Sequence, residues 1–156
     1  LMPDQSFTIT RKNNATEKEG IQYMESLNKG FFFVNSYERK RILELLDQPK
    51  NFARSFDMVL VPRLAGAELS IEAIETHIGE VTLIELKCTR AFLPNNPKGF
   101  FFGATQNEFD FGERLGSKFS FCFVCLNSKY LSHALLSVPE LEQIIRTRRI
   151  QYQINL

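Results

Sequence analysis

The chain of 156 residues has no tryptophan, two histidines and three cysteines, and each shortage removes a class of function. His77 and His133 have no partner at metal-ligand or catalytic spacing, so both read as structural or surface residues. An odd, sparse set of cysteines argues against a disulfide framework. Cys122 and Cys125 form a C-x-x-C, but in the strand-like run from Phe119 to Cys125 residues three apart face opposite ways, which argues against a zinc or redox motif. No apolar run approaches the roughly 18 residues of a membrane span, and the start lacks a basic-then-apolar leader pattern. The expectation is a soluble intracellular chain with no membrane partner, cytoplasmic, or nuclear in a eukaryote. Charge of one sign is lacking too: 19 basic residues against 18 acidic ones leave a net charge of +1, which neither demands nor excludes a nucleic-acid partner.

What is abundant is phenylalanine, with 15 copies in a chain that is 44% hydrophobic and 24% charged, so a single domain packed around phenylalanines is expected. Residues 1–14 are polar and read as partly disordered, with Ser6 to Thr10 alternating enough for a short edge strand. Thr16-Glu17-Lys18-Glu19 has the form of a capping box opening a helix whose buried stripe is Ile21, Met24 and Leu27. Gly30 ends it, Phe31 to Val34 is a buried strand, and Ser36 caps a second helix with Ile42, Leu45 and Leu46 inward. Phe56 to Val61 is the next strand. Between Pro62 and Gly79, Ile71, Ile74 and Ile78 fit a helical period, whereas Leu69, Ile71 and Ala73 fit a strand that hairpins into Val81; the hairpin is preferred. After the Leu93–Gly99 loop, Thr105-Gln106-Asn107-Glu108 forms a second capping box, opening a helix with Phe109, Gly112 and Leu115 inward that Gly116 stops. Phe119 to Leu126 is a further buried strand. A final helix, over about 139–149, starts at Pro139 and carries Arg146, Arg148 and Arg149 toward its negative end.

Three acids and a lysine stand out from this pattern. Val81 to Arg90 reads as a buried strand, yet it contains Glu85 and Lys87, which two-residue periodicity places on one face where the strand leaves the core. A carboxylate there can hold a divalent cation, and the ammonium can orient water and stabilise charge on a phosphate; an ion pair at a strand end is the plainer alternative. Asp57 opens an apolar strand and needs a partner if buried, which a metal would supply. Glu17 falls on the inward face of its helix, either as a favourable charge at the helix start or as a further site carboxylate. Candidate nucleic-acid contacts are Arg90 and Lys98 beside the charged strand end, Gln106 and Asn107 at a helix amino end, and Arg39 and Arg41 in the basic cluster Arg39-Lys40-Arg41. Either this cluster or the one at Arg146, Arg148 and Arg149 reads equally as a solvated helix face.

Phe56-Asp57 followed by Glu85-Leu86-Lys87 resembles the PD-(D/E)XK nuclease superfamily, whose signature is an acid on one strand and (D/E)-x-K on its hairpin neighbour. The spacing is longer than in compact members, and no proline precedes Asp57. The stretch from Ala15 to Glu19 with Ile21 and Met24 is similar to the first helix of archaeal Holliday-junction resolvases, with Glu17 at the position of a metal-site glutamate. Phe102 to Glu108, with Gly112, Gly116, Phe119, Phe121 and Val124, is similar to nuclease-like domains found beside helicases and restriction systems. The resemblance covers residues 16–126. It implies an α/β, restriction-endonuclease-like three-layer αβα fold, with a central mixed sheet of about four to five strands flanked by helices. It also implies a Mg²⁺-dependent DNA endonuclease, Mn²⁺ serving as a substitute and RNA standing as the other substrate. Asp57, Glu85 and the Leu86 carbonyl would bind the metal, Glu17 would support them, and Lys87 would position the attacking water. Recognition by so short a chain implies a homodimer or a larger helicase or restriction assembly. The alternative is a catalytically silent nucleic-acid-binding or assembly module of the same fold.

Overall fold

The computed structural model describes the chain from Pro3 onward, with side chains from Asn14; Leu1 and Met2, the first residues of the stretch expected to be partly disordered, lie outside the described residues. Five strands form one mixed sheet: β1 (Phe31–Phe33), β2 (Met58–Leu60), β3 (Thr82–Thr89), β4 (Phe119–Asn127) and β5 (Tyr130–Leu136), in that spatial order. All neighbours are antiparallel except β3 and β4, which run parallel. The connection between these two contains α4 (Gln106–Leu115), as a parallel pair requires a long crossover.

The remaining helices are α1 (Pro3–Ser26), α2 (Ser36–Leu45), α3 (Ile71–Thr76) and α5 (Val138–Ile144). Alternation along β3 and β4 divides the core in two. On one face Ile84, Leu86, Cys122 and Val124 pack with Met24 of α1. On the other, Leu83, Phe119, Phe121 and Phe123 meet Ile42 and Leu43 of α2, Phe111 of α4 and Leu141 of α5. Phenylalanine dominates this second layer, with Phe111 against Phe52 at 4.6 Å and against Phe119 at 5.6 Å between ring centroids. Among the described residues no helix is long and apolar enough to cross a membrane.

Several local expectations are corrected. The segment from Ser6 to Thr10 is helical rather than an edge strand, and Thr16 lies inside α1 rather than capping it, because the helix starts about three turns earlier. Asn35, not Ser36, caps α2, with Glu38 completing a capping box. The hairpin preferred before Val81 is instead α3, capped by the Ser70 hydroxyl; the Ile71, Ile74 spacing was helical after all, and only Ile74 is fully buried. His133 sits in β5. In α4 Gly112 is buried and Phe109 and Leu115 pack partly buried against the core as expected, but Glu108 and Phe111 are buried as well. Helix α5 ends at Ile144, so the arginines lie beyond it, and residues 145–156 form neither helix nor strand.

Candidate functional site

Glu85 and Lys87 project from β3 toward the phenylalanine layer, opposite Phe121 and Phe123 in the parallel register with β4. The Lys87 ammonium lies 5.9 Å from the centroid of the Phe121 ring. Pairing of β2 with β3 runs only as far as Met58 opposite Ile84, and Asp57 takes over where it stops. Its backbone N–H donates to the Ile84 carbonyl at 2.8 Å, and its carboxylate accepts the Leu86 N–H at 2.9 Å. The Asp57 carbonyl accepts the Val34 N–H at 3.2 Å. The acid is thus tied to the strands on both sides, which fixes its position beside Glu85.

Glu85 is buried, with one carboxylate oxygen accepting from Lys87 at 3.2 Å and the other, Oε1, having no hydrogen-bond partner among the described residues. Burial first, then the charge of Asp57, pushes the Glu85 carboxyl far above the ordinary carboxylate range, while Lys87 pulls only partly the other way. The charge of the neighbouring acid thus favours the protonated form of Glu85, and a cation at the site would favour the ionised one. For Lys87, burial alone would lower the pKa; the charges of Glu85 and Glu108 and their hydrogen bonds outweigh it, so the group stays an ammonium.

Glu108 is the residue that the capping argument hid. Thr105 does accept the Glu108 N–H, at 3.2 Å, but the Glu108 side chain does not reach back to complete a box. It turns inward, is buried, and accepts from the Lys87 ammonium at 2.8 Å. The signal was available, since Glu108 precedes buried Phe111 and Gly112 by three and four residues on one helical face. Glu17, expected on an inward face, is exposed, and it acts on the site through its charge from the opposite layer. Its carboxyl is raised by partial desolvation and by the charge of Asp57, and lowered by that of Lys87. Gly20 makes this approach feasible: a Cβ there would collide with Cys88 Sγ, so only glycine lets α1 lie this close to β3.

The expected nucleic-acid contacts are more dispersed. Arg90 pairs with Glu19 at 2.7 Å, Lys98 is exposed, Gln106 donates to Asp110 at 2.8 Å, and the Asn107 amide lies 3.5 Å from the Asn51 carbonyl. Arg39, expected to be mostly exposed, is half-buried and donates to the Val34 carbonyl at 3.1 Å. Arg41 is engaged by Glu44 and Glu75, each at 3.1 Å. The structure therefore brings together Glu17, Asp57, Glu85 and Lys87, adds Glu108, and gives Arg39 and Arg41 partners within the protein.

Among the described residues no three His, Cys, Asp or Glu side chains form a ready-made metal cage. The donors present nevertheless suit a hard cation of the Mg²⁺ type, which takes one or two carboxylates and completes its shell with water and substrate phosphate. The partnerless Glu85 Oε1 next to Asp57 is the observation that makes this fit. No protein-family model matches the chain, and neither the curated proteins nor the solved structures contain a significant match.

Proposed function

We propose that this chain is a Mg²⁺-dependent endonuclease that hydrolyses phosphodiester bonds in DNA, of restriction or DNA-processing type. The observation that carries the reading is the buried, partnerless Oε1 of Glu85 beside Asp57, on a strand whose next inward side chain is a lysine held by two carboxylates. A structural ion pair has no use for an acid beside an acid, whereas a cation site needs both. The order α1, β1, α2, β2, α3, β3, α4, β4, with β1 to β3 antiparallel and β4 parallel to β3, supports the finer reading of the fold as restriction-endonuclease-like with helical insertions between its first strands, the acid lying before β2 and E-x-K on its neighbour β3.

A divalent ion held by Asp57, Glu85 and the Leu86 carbonyl would supply Lewis-acid stabilisation and a more acidic water at the phosphate. Lys87 holds a proton and donates hydrogen bonds, so it orients the attacking water and offsets charge on the phosphoryl oxygens. Glu108 limits where that ammonium can swing. Glu17, exposed on α1, adds a negative group from the other layer that accepts hydrogen bonds from water.

The rival reading, a silent nucleic-acid-binding or assembly module, draws on one observation: both acids engage Lys87, leaving it few donors for a substrate. Plasmid, single-stranded DNA and RNA incubated with Mg²⁺, Mn²⁺ or EDTA, beside Lys87→Ala, separate the two. Metal-dependent DNA cleavage that the variant loses supports the nuclease. DNA binding without cleavage in either metal supports the silent module, and cleavage confined to RNA replaces the substrate.

A further inference from the structure

Residues 150–156, Ile-Gln-Tyr-Gln-Ile-Asn-Leu, alternate apolar and polar side chains with the period of a strand that has one buried face. Among the described residues this segment pairs with no strand: Ile150 is 81% exposed, Tyr152 80% and Ile154 76%. Three β-favouring apolar side chains on one side of an extended segment are costly to leave in water, at about 1.5 kcal/mol or more each relative to burial. The segment is not free along its whole approach. Arg148 donates to Glu142 of α5 at 2.8 Å and lies over the Phe109 ring of α4 at 5.0 Å, so the chain leaves the domain from a fixed point just before the alternating run.

The same chain carries an open edge of matching length. β5 is the last strand of the sheet, is seven residues long, and among the described residues has no strand on its outer side. Exposed Tyr130, Leu131 and Leu135 line it, and it contains no proline, lysine, arginine or acid, the residues that usually protect an edge from pairing. The opposite edge is different. β1 has only three residues, and its Phe33 N–H is already taken by the Glu25 carboxylate at 3.3 Å.

We propose that residues 150–156 of one chain add as a sixth strand to the outer edge of β5 in a second copy, with the exchange made reciprocally. One chain supplies both a donor segment and an acceptor edge, so two copies satisfy each other about a twofold axis, and the contact closes without running on into a fibre. The backbone groups of both partners are then paired, and Ile150, Tyr152 and Ile154 lie on one face beside Leu131 and Leu135 of β5. The proposal is independent of the chemistry at Glu85 and Lys87.

Sedimentation of the full chain over a concentration series, beside Tyr152→Pro, tests it. Tyr152 is exposed, so the proline removes a ladder N–H without touching the core, and circular dichroism verifies that the fold is retained. The expected result is a dimer that Tyr152→Pro converts to monomer. In a mixture of Tyr152→Cys chains and size-tagged Leu135→Cys chains, a bismaleimide should join one chain of each kind above the background of the parent protein. A monomer at every concentration overturns the proposal, as does a dimer that survives Tyr152→Pro. Crosslinking only within a single chain that carries both cysteines overturns it too, by placing the segment on its own β5.

Discussion

Lys87 of β3 and Glu108 of α4 meet at 2.8 Å across the seam between the sheet and the helix layer, with both side chains almost fully buried. The contact couples the position of α4 to the position of the lysine. Glu85 holds the same ammonium at 3.2 Å from the other side, so Lys87 is fixed by two acids that differ in their other neighbours. Glu85 has Asp57 beside it, whereas Glu108 sits in the first turn of a helix.

Replacing Glu108 by Gln should keep the volume and a hydrogen bond but release the charge that holds Lys87. Cleavage should fall by about 10- to 100-fold, with Lys87→Met losing more, and the double variant no worse than Lys87→Met alone, because one residue acts through the other. Additive losses in the double variant would show Glu108 acting by another route. Glu108→Leu, by contrast, strips a buried ammonium of one partner and should cost about 2–4 kcal/mol in denaturant unfolding.

The raised carboxyl of Glu85 gives a pH signature in the metal-free protein. Its folded pKa lies above the unfolded value, so its contribution to stability is complete below the unfolded pKa and is lost as pH rises toward the folded one. In EDTA, the loss can reach about 1.4 kcal/mol per pH unit within that window. Glu85→Gln removes the titration. Its melting temperature should therefore gain on the parent steadily from about pH 5 to pH 8, and a constant gap would mean that Glu85 is already ionised without metal.

A cation changes this balance, because the carboxyl must lose its proton to become a ligand. Mn²⁺ binding at neutral pH should release about one proton, read as a dependence of the calorimetric heat on the ionisation enthalpy of the buffer. The metal should also raise the melting temperature of the parent, and Asp57→Asn should abolish both effects. Release of no proton would place the metal elsewhere.

Much of the site was legible because its residues contradict their surroundings. Glu85 and Lys87 interrupt an apolar strand and Asp57 opens another, and each has a partner in the folded chain as those anomalies require, whereas Glu17, expected on an inward helical face, is exposed. Glu108 escaped because a sufficient local explanation existed: a glutamate at the third helical position is a good cap whether or not its side chain is needed elsewhere. The misread elements have local causes as well. Five alternating residues at Ser6–Thr10 satisfy a strand pattern that a long helix absorbs, and Ile71 fits either period, with Ala73 or with Ile74, until Ser70 is recognised as a cap. β5 went unseen because an edge strand exposes part of both faces, so its alternation is diluted.

Gly20 provides the test of how α1 serves the site. Glu17 lies one turn ahead of it, and the distance from that carboxyl to Asp57 depends on how closely the helix lies on β3. A Cβ at position 20 would strike Cys88 Sγ and press on Leu86 Cδ2, which is 3.2 Å away, with Leu86 itself part of the buried layer under α1. Gly20→Ala gains helix propensity of about 0.8–1 kcal/mol, and Gly20→Val gains less, being β-branched. Overpacking of a filled layer costs about 1–3 kcal/mol, so Gly20→Val should be destabilised on balance and Gly20→Ala close to neutral. Both should lift α1 and with it Glu17, lowering activity through the site rather than through unfolding. The discriminating variant is Gly20→Ala combined with Cys88→Ala, which removes the struck sulfur. Recovery of cleavage in that double variant, at unchanged metal affinity of the Asp57 and Glu85 pair, would establish that the helix acts by placing Glu17; no recovery would assign Gly20 to packing alone.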